Sequence, residues 1–82
     1  LSEDMRQILN FGVRKLTERI SGLIQAGQQD GSIPAHIDAE KMAQTMYQLW
    51  LGAALLARLA QDKQPLYLAM ETTQQLLQPI KE

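Results

Sequence analysis

The 82-residue chain contains no cysteine. That excludes a disulfide framework and thiol chemistry within it. With a single histidine, His36, it also lacks the ligands of a structural zinc site. The absence of cysteine fits a cytoplasmic protein. Charge of one sign is equally scarce. A formal net charge of −1 argues against a strongly electrostatic nucleic-acid binder, though not against a local basic patch. No apolar run reaches the roughly 20 residues that a transmembrane helix needs, and no signal peptide precedes the first polar residues, so no membrane partner is expected. There is no internal repeat and no low-complexity segment.

Catalytic patterns are missing too. The glycines are scattered singly, so no phosphate-cradling loop forms. Ser2 and Ser32 read as cap or loop residues, and Ser21 sits inside a helical pattern with no histidine near it in sequence. The acidic residues Glu3, Asp4, Asp38 and Glu40 fall at helix starts, where the helix dipole favours negative charge. His36, Asp38 and Glu40 make an H-x-D-x-E spacing, but a loop histidine beside a capping aspartate accounts for it more simply than a metal does. Neither an enzyme nor a cofactor site is expected.

What the chain does have is helical periodicity. Ser2 is a good N-cap, and Met5, Leu9, Val13, Leu16, Ile20, Leu23, Ile24 and Gly27 recur in steps of three and four, the pattern of an amphipathic helix. Ile8 widens that stripe. The other side carries Arg14, Lys15, Glu18 and Gln25, with Arg14 and Glu18 spaced to pair. Phe11 departs from the pattern and projects into the charged side. It is either a singly exposed aromatic or a contact for a ligand or a segment outside this chain. The helix should stop near Gln29 or Asp30, with Gly31 in a left-handed cap and Pro34 soon after. Ile33 and Ile37 are expected to pin the connector to the core.

Asp38 caps a second helix, read as Ala39 to Gln61. Its front is Ala43, Met46, Tyr47, Trp50, Ala53, Ala54 and Ala57. Its back begins polar, with Lys41, Gln44, Thr45 and Gln48, and then turns apolar, with Gly52, Leu55, Leu56 and Leu59. The run LWLGAALLARL, Leu49 to Leu59, is therefore apolar almost all the way round, as helices buried on every side are. A chain of this size has little material to bury it with, so the back of this half-helix is expected to meet something outside the chain. A glycine in that patch would let another helix approach closely. A third helix follows, with Pro65 in its first turn. Leu66, Ala69, Met70, Thr73, Leu77 and Ile80 are at helical spacing, Leu68 and Leu76 form a second apolar edge, and Pro79 closes it. The short link between them predicts that the second and third helices lie antiparallel. Arg6, Arg14, Lys15 and Arg19 are spread around the first helix and offset by Glu3, Asp4 and Glu18, so a solvated face is preferred to a phosphate-contacting one, and no segment reads as a helix-turn-helix.

The opening LSEDMR, the connector QDGSIP and the run AEKMAQTMYQLWLGAALLARL, in that order and spacing, resemble the C-terminal part of a TetR-family transcriptional regulator, and LSEDMR and LWLGA are similar to its NemR-like branch. The resemblance implies an all-α fold of three antiparallel-packed helices. It also implies that the last two form a four-helix bundle with their copies in a second subunit, giving a homodimer. Residues 1–82 would then be an effector-binding and dimerisation domain, cut from a longer repressor whose N-terminal helix-turn-helix domain binds operator DNA. The absence of an initiator methionine at Leu1 fits such a piece. On this reading the dimer interface is Gly52, Leu55, Leu56, Leu59, Leu68 and Leu76, and an unidentified small-molecule effector meets Phe11, Met46, Tyr47 and Trp50. Sensing in that branch is linked to cysteine reactivity, which this stretch cannot supply. The alternatives are a small helical module that binds a partner protein through the same patch, and a helical bundle with an apolar pocket that carries a lipid or serves an enzyme.

Overall fold

The structure, a computed structural model, describes residues 2–78. It has three helices: α1, Glu3–Asp30; α2, Ala39–Ala60; and α3, Gln64–Leu77. No strand occurs among the described residues. Pro79 and Ile80, expected to end and extend the third helix, lie outside them.

The helix ends follow from local chemistry. The Ser2 hydroxyl accepts the Met5 N–H at 3.1 Å, and Asp38 accepts the Lys41 N–H at 3.1 Å. Each therefore satisfies one of the backbone donors that a helix start leaves open. Gly31 takes φ +87° and returns its N–H to the Gly27 carbonyl, the left-handed stop expected from the sequence. At the end of α2 the same role falls to Gln61 at φ +51°, a conformation that costs a residue with a Cβ roughly 1–2 kcal/mol. Just beyond α1, the Ser32 hydroxyl and backbone N–H hold the Asp30 carboxyl below its usual value of 3.8.

The connector between α1 and α2 is bound at several points. The Gln28 side-chain amide donates to the carbonyls of Pro34 at 3.0 Å and Ile37 at 2.7 Å. Ile33 lies over Gly27 so closely that a Cβ there would stand 2.5 Å from its Cδ1. Any larger residue at 27 would therefore displace the Ile33 side chain. The periodicity places Gly27 on the buried stripe but gives no sign of this contact.

α2 lies between α1 and α3. Early residues of α1 flank late residues of α2 (Asn10 and Val13 beside Leu51), and Trp50 of α2 bonds Thr73 of α3, so successive helices run antiparallel. α1 and α3 have no backbone contact with each other among the described residues, although Leu77 reaches the cluster of Ile24, Ala39 and Ala43. The described chain measures 48 × 31 × 13 Å. α1 and α3 thus flank α2, and the three helices stand side by side.

A single layer of helices cannot enclose a core, which needs two packed layers. The burial pattern reflects this. The buried residues are Ser21, Ile24, Gly27, Ala39, Ala43, Ala53 and Ala69, all small except Ile24. They lie where helix backbones meet, and no large side chain is completely buried among the described residues. Two expectations are corrected here. Of the expected stripe of α1 only Ile20, Ile24 and Gly27 are covered, and Met5, Leu9, Val13, Leu16 and Leu23 are exposed because no second layer lies over them. Ala54, assigned to the inward front of α2, is exposed for the same reason.

Candidate functional site

The positions of the grooves on α2 follow from its helical period. At about 100° per residue, Met46, Tyr47, Trp50 and Ala54 lie on one side, and Gln48, Gly52 and Leu56 lie on the opposite side. Each side opens into a different cavity.

The first cavity holds about 440 Å³ and spans all three helices. Leu16 and Ile20 come from α1, Met46, Tyr47, Trp50, Leu51 and Ala54 from α2, and Leu66 from α3. Three of the four residues expected at an effector pocket, Met46, Tyr47 and Trp50, are brought together there. Phe11 is not. It stands nine residues before Ile20, half a turn away on the helix, and is 62% exposed with the Lys15 ammonium 5.5 Å from its ring centre. That cation–π contact gives the aromatic a local partner and takes Phe11 out of the cavity.

Trp50 has a second role besides lining the cavity. Its indole N–H is not left for a ligand: it donates to the Thr73 hydroxyl at 2.9 Å, which donates in turn to the Ala69 carbonyl at 2.7 Å. Trp50 therefore ties α2 to α3 while its ring forms part of the cavity wall. The sequence held a signal for this, since a half-buried tryptophan requires an acceptor and Thr73 lies on the inner stripe of the third helix. The Tyr47 hydroxyl has no partner among the described residues and stays accessible to solvent. Tyr47 also lines a neighbouring groove with Asn10, Arg14, Gln44 and Gln48.

The second cavity, about 310 Å³, is a groove between α2 and α3 lined by Gln48, Leu49, Gly52, Ala53 and Leu56 with Pro65, Leu68 and Ala69. Leu55 and Leu59 stand exposed beside it on α2, and Leu76 lies further along α3. A Cβ on Gly52 would meet nothing within 4 Å, so the chain itself does not require glycine at this position.

On the same side, but between α1 and α2, the lining is polar: Arg14, Glu18, Ser21, Gln25, Glu40 and Gln44 surround about 380 Å³. Arg14 and Glu18 do not form the expected ion pair. The salt bridge among the described residues joins Glu3 to Arg6. An acid placed before its base complements the helix dipole, whereas Arg14 before Glu18 is the weaker order. His36 is exposed in the connector, and no group of metal-ligating side chains occurs among the described residues. No helix among them is long and apolar enough to cross a membrane.

Comparison with known proteins adds the following. The family model described as tetracyclin repressor-like, C-terminal domain, matches residues 1–73. The HTH-type transcriptional repressor NemR of Escherichia coli K12 is 33% identical over 66 residues, which are 80% of this chain. The chain spans about a third of the length of the curated relatives it matches, 33%. A solved structure of a putative transcriptional regulator of the TetR/AcrR family is 49% identical with a TM-score of 0.86, covering 93% of this chain and 43% of that one. The crystal structure of E. coli NemR in its reduced form is 31% identical with a TM-score of 0.90, covering 96% and 43%.

Proposed function

We propose, from the fact that this chain belongs to the tetracyclin repressor-like C-terminal domain family, that it is the regulatory segment of a transcriptional repressor, in which one face of the helix layer receives a small-molecule effector and the other joins two subunits. The single observation that carries the proposal is the single-layer fold with an apolar cavity on each side of α2. Helices set side by side about α2 need cover on both faces, and the two faces differ in shape and chemistry.

The face bearing Gly52, Leu55, Leu56 and Leu59 of α2 and Leu68 and Leu76 of α3 pairs with its own copy as a four-helix bundle. Open space at Gly52 supports this, because a neighbouring helix could use it for close backbone approach. Effector binding belongs to the opposite face, around Met46, Tyr47 and Trp50. The operator is contacted by a helix-turn-helix domain in the part of the protein outside residues 1–82, and the protein acts in the cytoplasm, where its operator is. The work of this segment is binding, without turnover or cofactor.

The dimer half of the proposal is tested by sedimentation velocity of the full-length protein. Gly52→Leu should shift the dimer toward monomer at micromolar concentration with its circular dichroism unchanged. A wild-type protein that sediments as a monomer at high concentration contradicts the reading.

A further inference from the structure

Two apolar side chains of α1 belong to neither face of the helix layer. Ile8 and Phe11 are 70% and 62% exposed. Three residues apart, they are neighbours on the helix surface. At about 100° per residue they stand about 160° and 140° around α1 from Ile24, which packs on Ala39 and Ala43 of α2. They therefore lie on the outer edge of α1, turned away from α2, and α3 is on the far side of α2. Met5 and Leu9, also exposed, continue the apolar surface round toward the cavity face. From Phe11 to Leu9 the apolar arc covers about 160°, against roughly 100° for a helix that buries a single stripe. Further along, the same edge changes character. It carries Lys15, Glu18, Arg19 and Gln29, with Gly22 and Ala26 between them, and all are exposed. The second half of the edge suits water, and the first half suits an apolar cover.

We propose that Ile8 and Phe11, with Met5 and Leu9, form the docking surface for the segment of the protein that precedes residue 1. The matching family model is that of a C-terminal domain, and the chain covers 43% of each of two solved relatives and 33% of NemR. Most of a protein of that length lies on the N-terminal side, and α1 begins at Glu3, so that polypeptide arrives at this end of the helix. A second copy is the poorer occupant. Its face, around Gly52 and Leu56, is separated from Phe11 by the polar groove of Arg14, Glu18 and Gln25. The inference rests on the reading of this chain as the C-terminal segment of a longer regulator. α1 then meets the cavity through Leu16 and Ile20 and the preceding segment through Ile8 and Phe11.

The test is photocrosslinking in the full-length protein, with p-benzoyl-phenylalanine in place of Phe11 or, separately, of Gln29. Gln29 lies about five turns along the same edge. The Phe11 position should give a product that runs as a single chain under denaturing conditions, with the linked peptide mapping before residue 1. The Gln29 position should give none. As a check free of the bulky probe, Phe11→Ser should lower the thermal midpoint of the full-length protein, and Gln29→Ser should leave it unchanged. A covalent dimer from the Phe11 position assigns the surface to a second copy and overturns the inference. So does a link confined to residues 1–82, the absence of any link, or equal linking from both positions. An unchanged midpoint for Phe11→Ser contradicts it as well. The reading as a dimeric regulator is judged separately by sedimentation, whatever the crosslink shows.

Discussion

The two ends of the helix layer are built from similar side chains but are covered very differently. At the connector end, Ile24 is 2% exposed, and Gly27, Ala39 and Ala43 are buried with it under Ile33 and Leu77. The Gln28 amide and the caps at Gly31 and Asp38 satisfy the backbone there. At the open end, Leu59 is 74% exposed, and Leu55, Leu56, Met5 and Leu9 stand in solvent beside it. Leucine and isoleucine do not decide their own burial; that depends on whether the chain returns to cover them. The connector returns over the first end. Nothing within the described residues returns over the second, so this is the end where other surfaces are needed. Exposed large apolar side chains gathered at one end in this way mark surfaces for interaction.

Substitutions at the two ends should therefore have opposite signatures. The largest loss of stability is expected for Ile24→Ala, which truncates the one large buried side chain of the connector cluster and should cost about 2–4 kcal/mol by chemical denaturation. A loss below about 1 kcal/mol there would mean that the connector end is not the anchor of the fold. Gly27→Ala follows. Its Cβ would meet the Ile33 side chain at 2.5 Å, and the displacement of Ile33 should cost about 1–2 kcal/mol, read as a lower thermal midpoint. The smallest effect has the opposite sign. Gln61→Gly relieves the left-handed backbone at the end of α2 and should stabilise by about 0.5–1 kcal/mol. An unchanged midpoint would show that the strain at Gln61 is relaxed in solution.

Much of this organisation was legible in the sequence because it is local. Ser2, Gly31 and Asp38 cap the helices as their residue types require, and α2 ends one residue before the expected Gln61. The apolar back of α2 stands exposed, as its angular position predicted. What the sequence withheld depends on where one helix lies against another. A helical period gives each side chain an angle, but not what lies at that angle. Ala54 thus points the expected way and meets open space, and Trp50 finds Thr73 rather than a ligand. The hold of Gln28 on Pro34 and Ile37 was equally hidden, because a glutamine near a helix end reads as a solvated residue. Phe11 is the opposite case. Its angle alone had already set it apart from the Leu16–Ile20 stripe, and the cavity excludes it.

The division of tasks between the two faces of the layer is the central claim, and one paired measurement tests it most directly. Leu59 and Leu16 are both exposed leucines, at 74% and 43%, on opposite faces. Sedimentation velocity of full-length Leu59→Glu and Leu16→Glu compares the same chemical change at the two. The account predicts that Leu59→Glu sediments as a folded monomer while Leu16→Glu remains a dimer. A dimer that survives Leu59→Glu, or one that dissociates with Leu16→Glu, would contradict it.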